Sequence, residues 1–149
     1  MRTMGLDVGT KTVGVAISDA LGMTAQPITT VRRTSLRVDL EALAKLARDY
    51  EVTHVVVGLP LNMDASEGPR AEASRKFGAA VEAKLGVSIE YWDERLSTVA
   101  AQRVLIEGDV RRERRRELID QLAASYILQG WLDGRAGREA RAAQEEEEP

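Results

Sequence analysis

The feature that most constrains the fold is a carboxylate in the middle of an apolar strand near the N-terminus. Residues Thr3–Val8 and Thr12–Ser18 have the composition of two strands, which the turn Gly9–Lys11 joins into a hairpin. Side chains alternate across a strand, so Asp7 shares its face with the glycines two positions before and after it. A buried carboxylate is costly unless something binds it, and glycine neighbours leave room for a ligand. The residues alone are equally compatible with a ligand-binding Asp7 and with an aspartate that caps its own turn.

Length and composition restrict the class of protein. The 149 residues fit one domain that is large enough to bury a core. No apolar run is long enough to cross a bilayer, and the N-terminus lacks a hydrophobic signal segment, so we expect a cytoplasmic protein with no membrane partner. Because the chain has no cysteine, disulfides and thiolate metal sites are excluded.

Charge is distributed unevenly along the chain. The net charge is −3, of which the last sixteen residues, 134–149, contribute −2 through three Arg and five Glu. A near-neutral body with one dense basic cluster favours a local anionic partner such as a nucleic-acid backbone, although such a run can also be a solvated face. The cluster consists of Arg111, Arg112, Arg114, Arg115 and Arg116.

The segments after the hairpin alternate between strand and helix patterns. They are, in order, a strand at 22–31, a helix at 35–50, a strand at 52–57, a helix opened by Pro69, a strand at 87–92, and helices at about 97–107 and 113–133. This order predicts an α/β fold in which a mixed five-stranded sheet, with its first three strands antiparallel, is flanked by helices. We expect one domain over 1–133 and a disordered charged tail over 134–149.

Three carboxylates fall where this layout could bring them together. Asp7 lies on the first strand, Glu94 follows the last strand, and Asp120 lies on the last helix. An all-oxygen ligand set suits Mg²⁺ or Mn²⁺, and two such ions about 3.5–4 Å apart can activate a water and stabilise the leaving oxygen of a phosphodiester. The residues leave other interpretations open, because Glu94 can favour a helix N-terminus and Asp120 can pair with Arg116 on the surface.

Four motifs in the chain, read together, resemble one known family. They are Asp7–Lys11 with Gly14–Ala16, Gly58–Asp64, Asp93–Thr98, and Ile119–Ala124 with Ile127–Gln129. In this order over residues 3–132 they closely resemble the YqgF/RuvX family, which is assigned to the RNase H-like fold of RuvC-type nucleases. One departure is Ala65, where such loops usually continue with Gly.

The resemblance implies a set of functional residues. Asp7, Glu94 and Asp120 would be the catalytic, metal-binding set and would hold Mg²⁺ or Mn²⁺, as two ions. Lys11, Arg95 and the Arg cluster would bind nucleic acid. For Lys11 the alternative is a solvated turn residue, and for Arg95 it is a residue that neutralises its neighbour.

The implied activity is hydrolysis of phosphodiester bonds in structured nucleic acid by a metal-dependent endonuclease. Members of the family are described as nucleases that process the 5′ end of pre-16S ribosomal RNA, or as Holliday-junction resolvases. The substrate would be an RNA precursor, free or within ribosomal precursor particles, or branched DNA, and the protein would be a monomer or a homodimer. A non-catalytic RNA-binding module that assists ribosome maturation is the alternative from another class.

Overall fold

The computed structural model describes residues 2–96 and 112–147, with side chains over 2–96 and 118–146. The five strands are β1 (Arg2–Val8), β2 (Thr12–Ser18), β3 (Ala25–Arg32), β4 (Val52–Leu59) and β5 (Ser88–Asp93). The helices are α1 (Leu36–Asp49), α2 (Pro69–Leu85) and α3 (Arg112–Glu147), and a 3₁₀ turn spans Glu94–Leu96.

The strands form one mixed sheet in the order β3-β2-β1-β4-β5. β1 pairs antiparallel with β2, and β2 pairs antiparallel with β3. β4 lies parallel to β1, and β5 lies parallel to β4. The predicted mixed sheet with an antiparallel first half is therefore confirmed, and the carboxyl ends of β1, β4 and β5 meet at one edge.

Helices cover both faces of the sheet. On one face α1 and α2 bury an apolar cluster that includes Leu6, Val15, Leu43 and Phe77. On the other face α3 packs through its small and apolar residues, among them Ala123 and Ala124. The faces alternate along β1 as the sequence predicts, so the apolar side chains of β1 point toward α1 and α2. The glycines and Asp7 consequently point toward α3, because successive side chains of a strand leave opposite faces.

The last helix differs from the sequence prediction at its end. The prediction placed its end near Asp133, and the structure continues it to Glu147, so that boundary is corrected. The extension is exposed and lacks an apolar face, which is why its periodicity gave no helix signal. It is rich in Ala, Arg and Glu, which have high intrinsic helix propensity. The division into a domain over 1–133 and a tail stays a prediction.

The helix predicted at 97–107 lies outside the described residues. Although α3 is long, no helix in the described part of the chain combines the length and apolar character that a membrane span requires.

Candidate active site

The site is centred on Asp7, which lies near the carboxyl end of β1 and is 7% exposed. Gly14 on β2 is directly opposite Asp7 in the antiparallel register. On the other side β4 places Gly58 one residue beyond Val57, the partner of Leu6. Adjacent strands are about 4.8 Å apart, so Asp7 has a residue without a side chain on each flanking strand. On the face that α3 covers, the missing side chains leave room beside the Asp7 carboxylate for groups from other elements.

Asp120 occupies the space above Gly14. A Cβ placed on Gly14 would overlap the backbone carbonyl of Asp120, so α3 can cross the sheet this closely only over a glycine. The Asp120 carboxylate is oriented by Thr12, whose hydroxyl donates a hydrogen bond of 2.5 Å to Oδ2. Sequence reasoning missed this role of Thr12 and offered Arg116 as the partner. The two residues are 108 positions apart, so no local spacing could indicate the contact.

Glu94 occupies the space above Gly58. A Cβ on Gly58 would lie 2.7 Å from Oε1 of Glu94, so the glutamate side chain fills the position of the missing one. Glu94 begins the 3₁₀ turn that follows β5, and this turn folds its side chain back over the neighbouring strand β4. The structure thus gathers Asp7, Glu94 and Asp120 over a segment three strands wide. In open α/β sheets ligands bind at this edge, beyond the carboxyl ends of the strands.

The donor chemistry of these residues fits a hard divalent cation. The three side chains offer only carboxylate oxygens, and Thr12 adds a hydroxyl that already serves Asp120. Oxygen-only sets bind Mg²⁺ or Mn²⁺ in preference to zinc. As the side chains stand, no group of three or more His, Asp or Glu within 2–96 and 118–146 is drawn together into a metal-holding cluster. The three acids therefore lie on β1, after β5 and on α3 over three neighbouring strands, without forming a ligand shell as their side chains stand.

Arg95 is held by Asp93. Its Nε and Nη2 donate to the two carboxylate oxygens of Asp93, at 3.0 and 2.7 Å, in a bidentate fork. These bonds hold the pKa of the Asp93 carboxyl below its ordinary value and raise the pKa of Arg95. Sequence reasoning considered Arg95 as a partner of Glu94 or of a phosphate and did not identify Asp93. These two hydrogen bonds fix the orientation of the Arg95 side chain, directly after Glu94 in the chain.

The third guanidinium nitrogen of Arg95 forms a hydrogen bond to the loop that follows β4. Nη1 donates to the backbone carbonyl of Met63 at 3.1 Å. Within the loop, the backbone N–H of Asn62 donates to the backbone carbonyl of Ser66, and the Asp64 carboxylate accepts from the backbone N–H of Ser66. The bonds from Ser66, with a smaller contribution from the charge of Arg95, hold the pKa of Asp64 below its ordinary value. The loop, residues 60–68, is therefore held by its own hydrogen bonds and by Arg95, which follows β5; we call it the braced loop.

Ala65 completes this turn in the left-handed region, with φ at +71°. This is the position where the sequence departs from the glycine usual in the family. A non-glycine residue in this region costs about 1–2 kcal/mol, whereas glycine adds about 0.4–1 kcal/mol of unfolded-state entropy. The loop thus keeps its shape against local strain.

Replacing this residue by glycine should relieve the strain. We expect Ala65→Gly to raise the free energy of unfolding by about 0.5 kcal/mol, as the balance of the two effects. Urea denaturation measures the change. The matched control is Ala79→Gly on the exposed face of α2, which should lower stability by about 1 kcal/mol. If Ala65→Gly lowered the free energy of unfolding as much as Ala79→Gly does, Ala65 would not be strained.

The predicted nucleic-acid-binding residues are described only in part. Lys11 is exposed in the turn between β1 and β2, where Arg33 donates to the carbonyl of Gly9 at 2.8 Å and braces the turn. Arg111 lies outside the described residues. The other four arginines of the cluster fall within the bounds of α3, and their side chains lie outside what is described. Those four are Arg112, Arg114, Arg115 and Arg116.

Comparisons with known proteins agree on one family. Residues 1–134 match the model of the family RuvX, described as Holliday junction resolvase. A protein of Myxococcus xanthus named "Putative pre-16S rRNA nuclease" is 73% identical over 133 residues, which cover 89% of this chain and 88% of that protein. A protein of the same name from Moorella thermoacetica is 60% identical over 133 residues, covering 89% and 95% of the two chains.

A solved structure supports the fold. RuvC of T. thermophilus, in complex with a Holliday junction substrate, superimposes with a TM-score of 0.57 over 92% of this chain and 96% of that chain. The identity is 13%, so this similarity concerns the fold alone. The predicted RNase H-like α/β fold is confirmed.

Proposed function

The chain belongs to the RuvX family, and on that premise we propose that it is a divalent-metal-dependent nuclease that hydrolyses phosphodiester bonds of structured nucleic acid. The observation that supports the proposal is the position of Asp7 between two glycines, Gly14 and Gly58, on the flanking strands. The Asp120 backbone lies over the first glycine and the Glu94 side chain over the second. A binding module would have no use for three acids beside a polyanion, because carboxylates repel phosphate.

In the proposed site each acid has a distinct setting. Asp7 is the most enclosed, since it is buried between two strands and beneath α3. Asp120 is turned by Thr12, and Glu94 reaches in from the end of β5. Together they would hold Mg²⁺ or Mn²⁺, as two ions, which when bound activate a water and stabilise the charge on the phosphoryl oxygens. Lys11 and the cluster Arg111–Arg116 would draw in the nucleic-acid backbone.

The most favoured substrate is the precursor of 16S ribosomal RNA, cleaved at its 5′ end. The names of relatives up to 73% identical support RNA as the substrate. The description of the family model supports the second candidate, a four-way DNA junction cut by a resolvase. A resolvase cuts two strands symmetrically and therefore requires a two-fold dimer, whereas RNA processing makes no such demand.

A parallel cleavage assay tests these proposals. Freshly purified protein is incubated with a precursor ribosomal RNA leader, a four-way DNA junction and single strands, with Mg²⁺ or Mn²⁺. We expect endonucleolytic cleavage of the RNA leader that is lost on chelation and restored by either ion. Preferential cutting of the junction by a dimeric protein would favour the resolvase. Tight RNA binding without cleavage under any of these conditions would favour the non-catalytic maturation factor.

A further inference from the structure

Two large apolar side chains are exposed beside the candidate active site. Met63, on the braced loop after β4, is 98% exposed, and Leu96, in the turn after Glu94, is 67% exposed. Both adjoin Arg95, Leu96 through the chain and Met63 through the hydrogen bond from Nη1 to its carbonyl. Single exposed apolar residues are common on protein surfaces, but this pair lies next to a proposed catalytic acid.

The loop that carries Met63 is held in a defined shape. The bonds between Asn62, Asp64 and Ser66 close the turn, and Ala65 adopts a left-handed conformation at an energetic cost. Strain of this kind persists where the surrounding structure over-determines it, and it concentrates at functional sites. In this loop, these hydrogen bonds hold the backbone in a conformation that leaves the Met63 side chain exposed to water. The same Arg95 that fixes this loop is itself fixed by Asp93, at the exit of β5.

We infer that Met63 and Leu96 form an apolar tip that contacts unstacked bases of the substrate next to the cleaved bond. This inference rests on the proposed nuclease function and names its substrate class: nucleic acid with unpaired or splayed bases at the cleavage position, not uninterrupted duplex. In a duplex the base faces are covered by their neighbours, and the groove edges and phosphates are polar. An apolar side chain gains contact only where a base face is free.

The size and setting of the tip distinguish a base from a protein partner. Two side chains offer much less than the roughly 1,000 Å² that a specific protein interface requires. Charged residues are their neighbours: Asp64 follows Met63, and Arg95, which Asp93 holds, precedes Leu96 and bonds to the Met63 carbonyl. A flat base bordered by phosphate and sugar matches a small apolar tip with a polar surround. A large apolar partner surface would leave these charges desolvated.

The test compares binding to three probes of one sequence. The probes are a single strand, an uninterrupted duplex, and a duplex with unpaired bases that include the fluorescent analogue 2-aminopurine. The variants are Met63→Ser and Leu96→Ser, and the matched control is Met23→Ser, an exposed methionine (66%) on the hairpin between β2 and β3. Binding is measured by anisotropy and unstacking by 2-aminopurine fluorescence.

We expect the parent to prefer the probes with unpaired bases and to increase 2-aminopurine fluorescence. Each tip variant should bind the probes with unpaired bases about tenfold more weakly and should no longer increase 2-aminopurine fluorescence. Its affinity for the duplex should stay that of the parent, and Met23→Ser should behave as the parent on all probes. Equal affinity losses on all probes, or none, would overturn the inference while leaving nuclease activity intact. The expected binding pattern without any cleavage would support the tip and refute the nuclease. If the parent binds none of the probes, both proposals fail.

Discussion

Asp7→Asn should abolish phosphodiester cleavage while nucleic-acid binding stays measurable. The substitution preserves the shape of the side chain and removes its charge at the centre of the acid group. An amide is a much weaker ligand for a hard divalent cation than a carboxylate. We expect the cleavage rate to fall by about a thousandfold, which is the scale of losing a principal electrostatic contact at a reacting centre. Initial rates on the preferred substrate, with Mg²⁺ and with Mn²⁺, measure the loss.

The control for this variant is Asp49→Asn, at the exposed end of α1 on the opposite face of the sheet. It makes the same chemical change and should leave the cleavage rate within twofold of the parent, roughly the scatter of surface substitutions. Circular dichroism establishes that both variants are folded, and anisotropy gives their affinities. Should Asp7→Asn cut as fast as the parent, Asp7 would not be a metal ligand and the proposed site would be wrong.

The fold could be predicted from the sequence to the extent that its signals are local. The strand β2 has the predicted bounds Thr12–Ser18, because apolar residues and flanking turn residues define it within a few positions. Gly86 ends α2 in a left-handed conformation, with φ at +66°, as its place after Leu85 predicts. The end of α3 was mispredicted since helix propensity alone, without a buried face, leaves no periodic pattern.

The site could be predicted only in part, because its contacts are long-range. The residues alone left Asp7, Glu94 and Asp120 with ordinary interpretations, and the family resemblance selected them. What the resemblance did not supply is how they are held. The hydroxyl that orients Asp120 comes from a strand 108 positions earlier. The carboxylate that fixes Arg95 is only two positions away, and it was overlooked because Glu94 is closer in sequence.

Gly14→Ala, at one of the glycines beside Asp7, should destabilise the protein. A methyl group at this position would overlap the backbone carbonyl of Asp120, and a helix backbone cannot rotate away as a flexible side chain can. α3 must therefore move off β2, which weakens the packing of its Ala123 and Ala124 on the sheet and breaks the bond between Thr12 and Asp120. Overpacking of this kind costs about 1–3 kcal/mol, and we expect a loss near the upper end.

The same displacement should reduce cleavage even where the protein is fully folded. Moving Asp120 by about 1 Å relative to Asp7 is expected to cost about a hundredfold in rate. The matched control is Gly137→Ala on the same helix, where an added Cβ meets no atom within 4 Å. That variant should gain about 0.5–1 kcal/mol of stability from helix propensity and keep the parent rate. Urea denaturation and initial rates at a temperature where all variants are folded separate the two effects. A Gly14→Ala protein that is less stable but cuts normally would mean that α3 packs against β2 for stability alone, and that Asp120 is not part of the catalytic set.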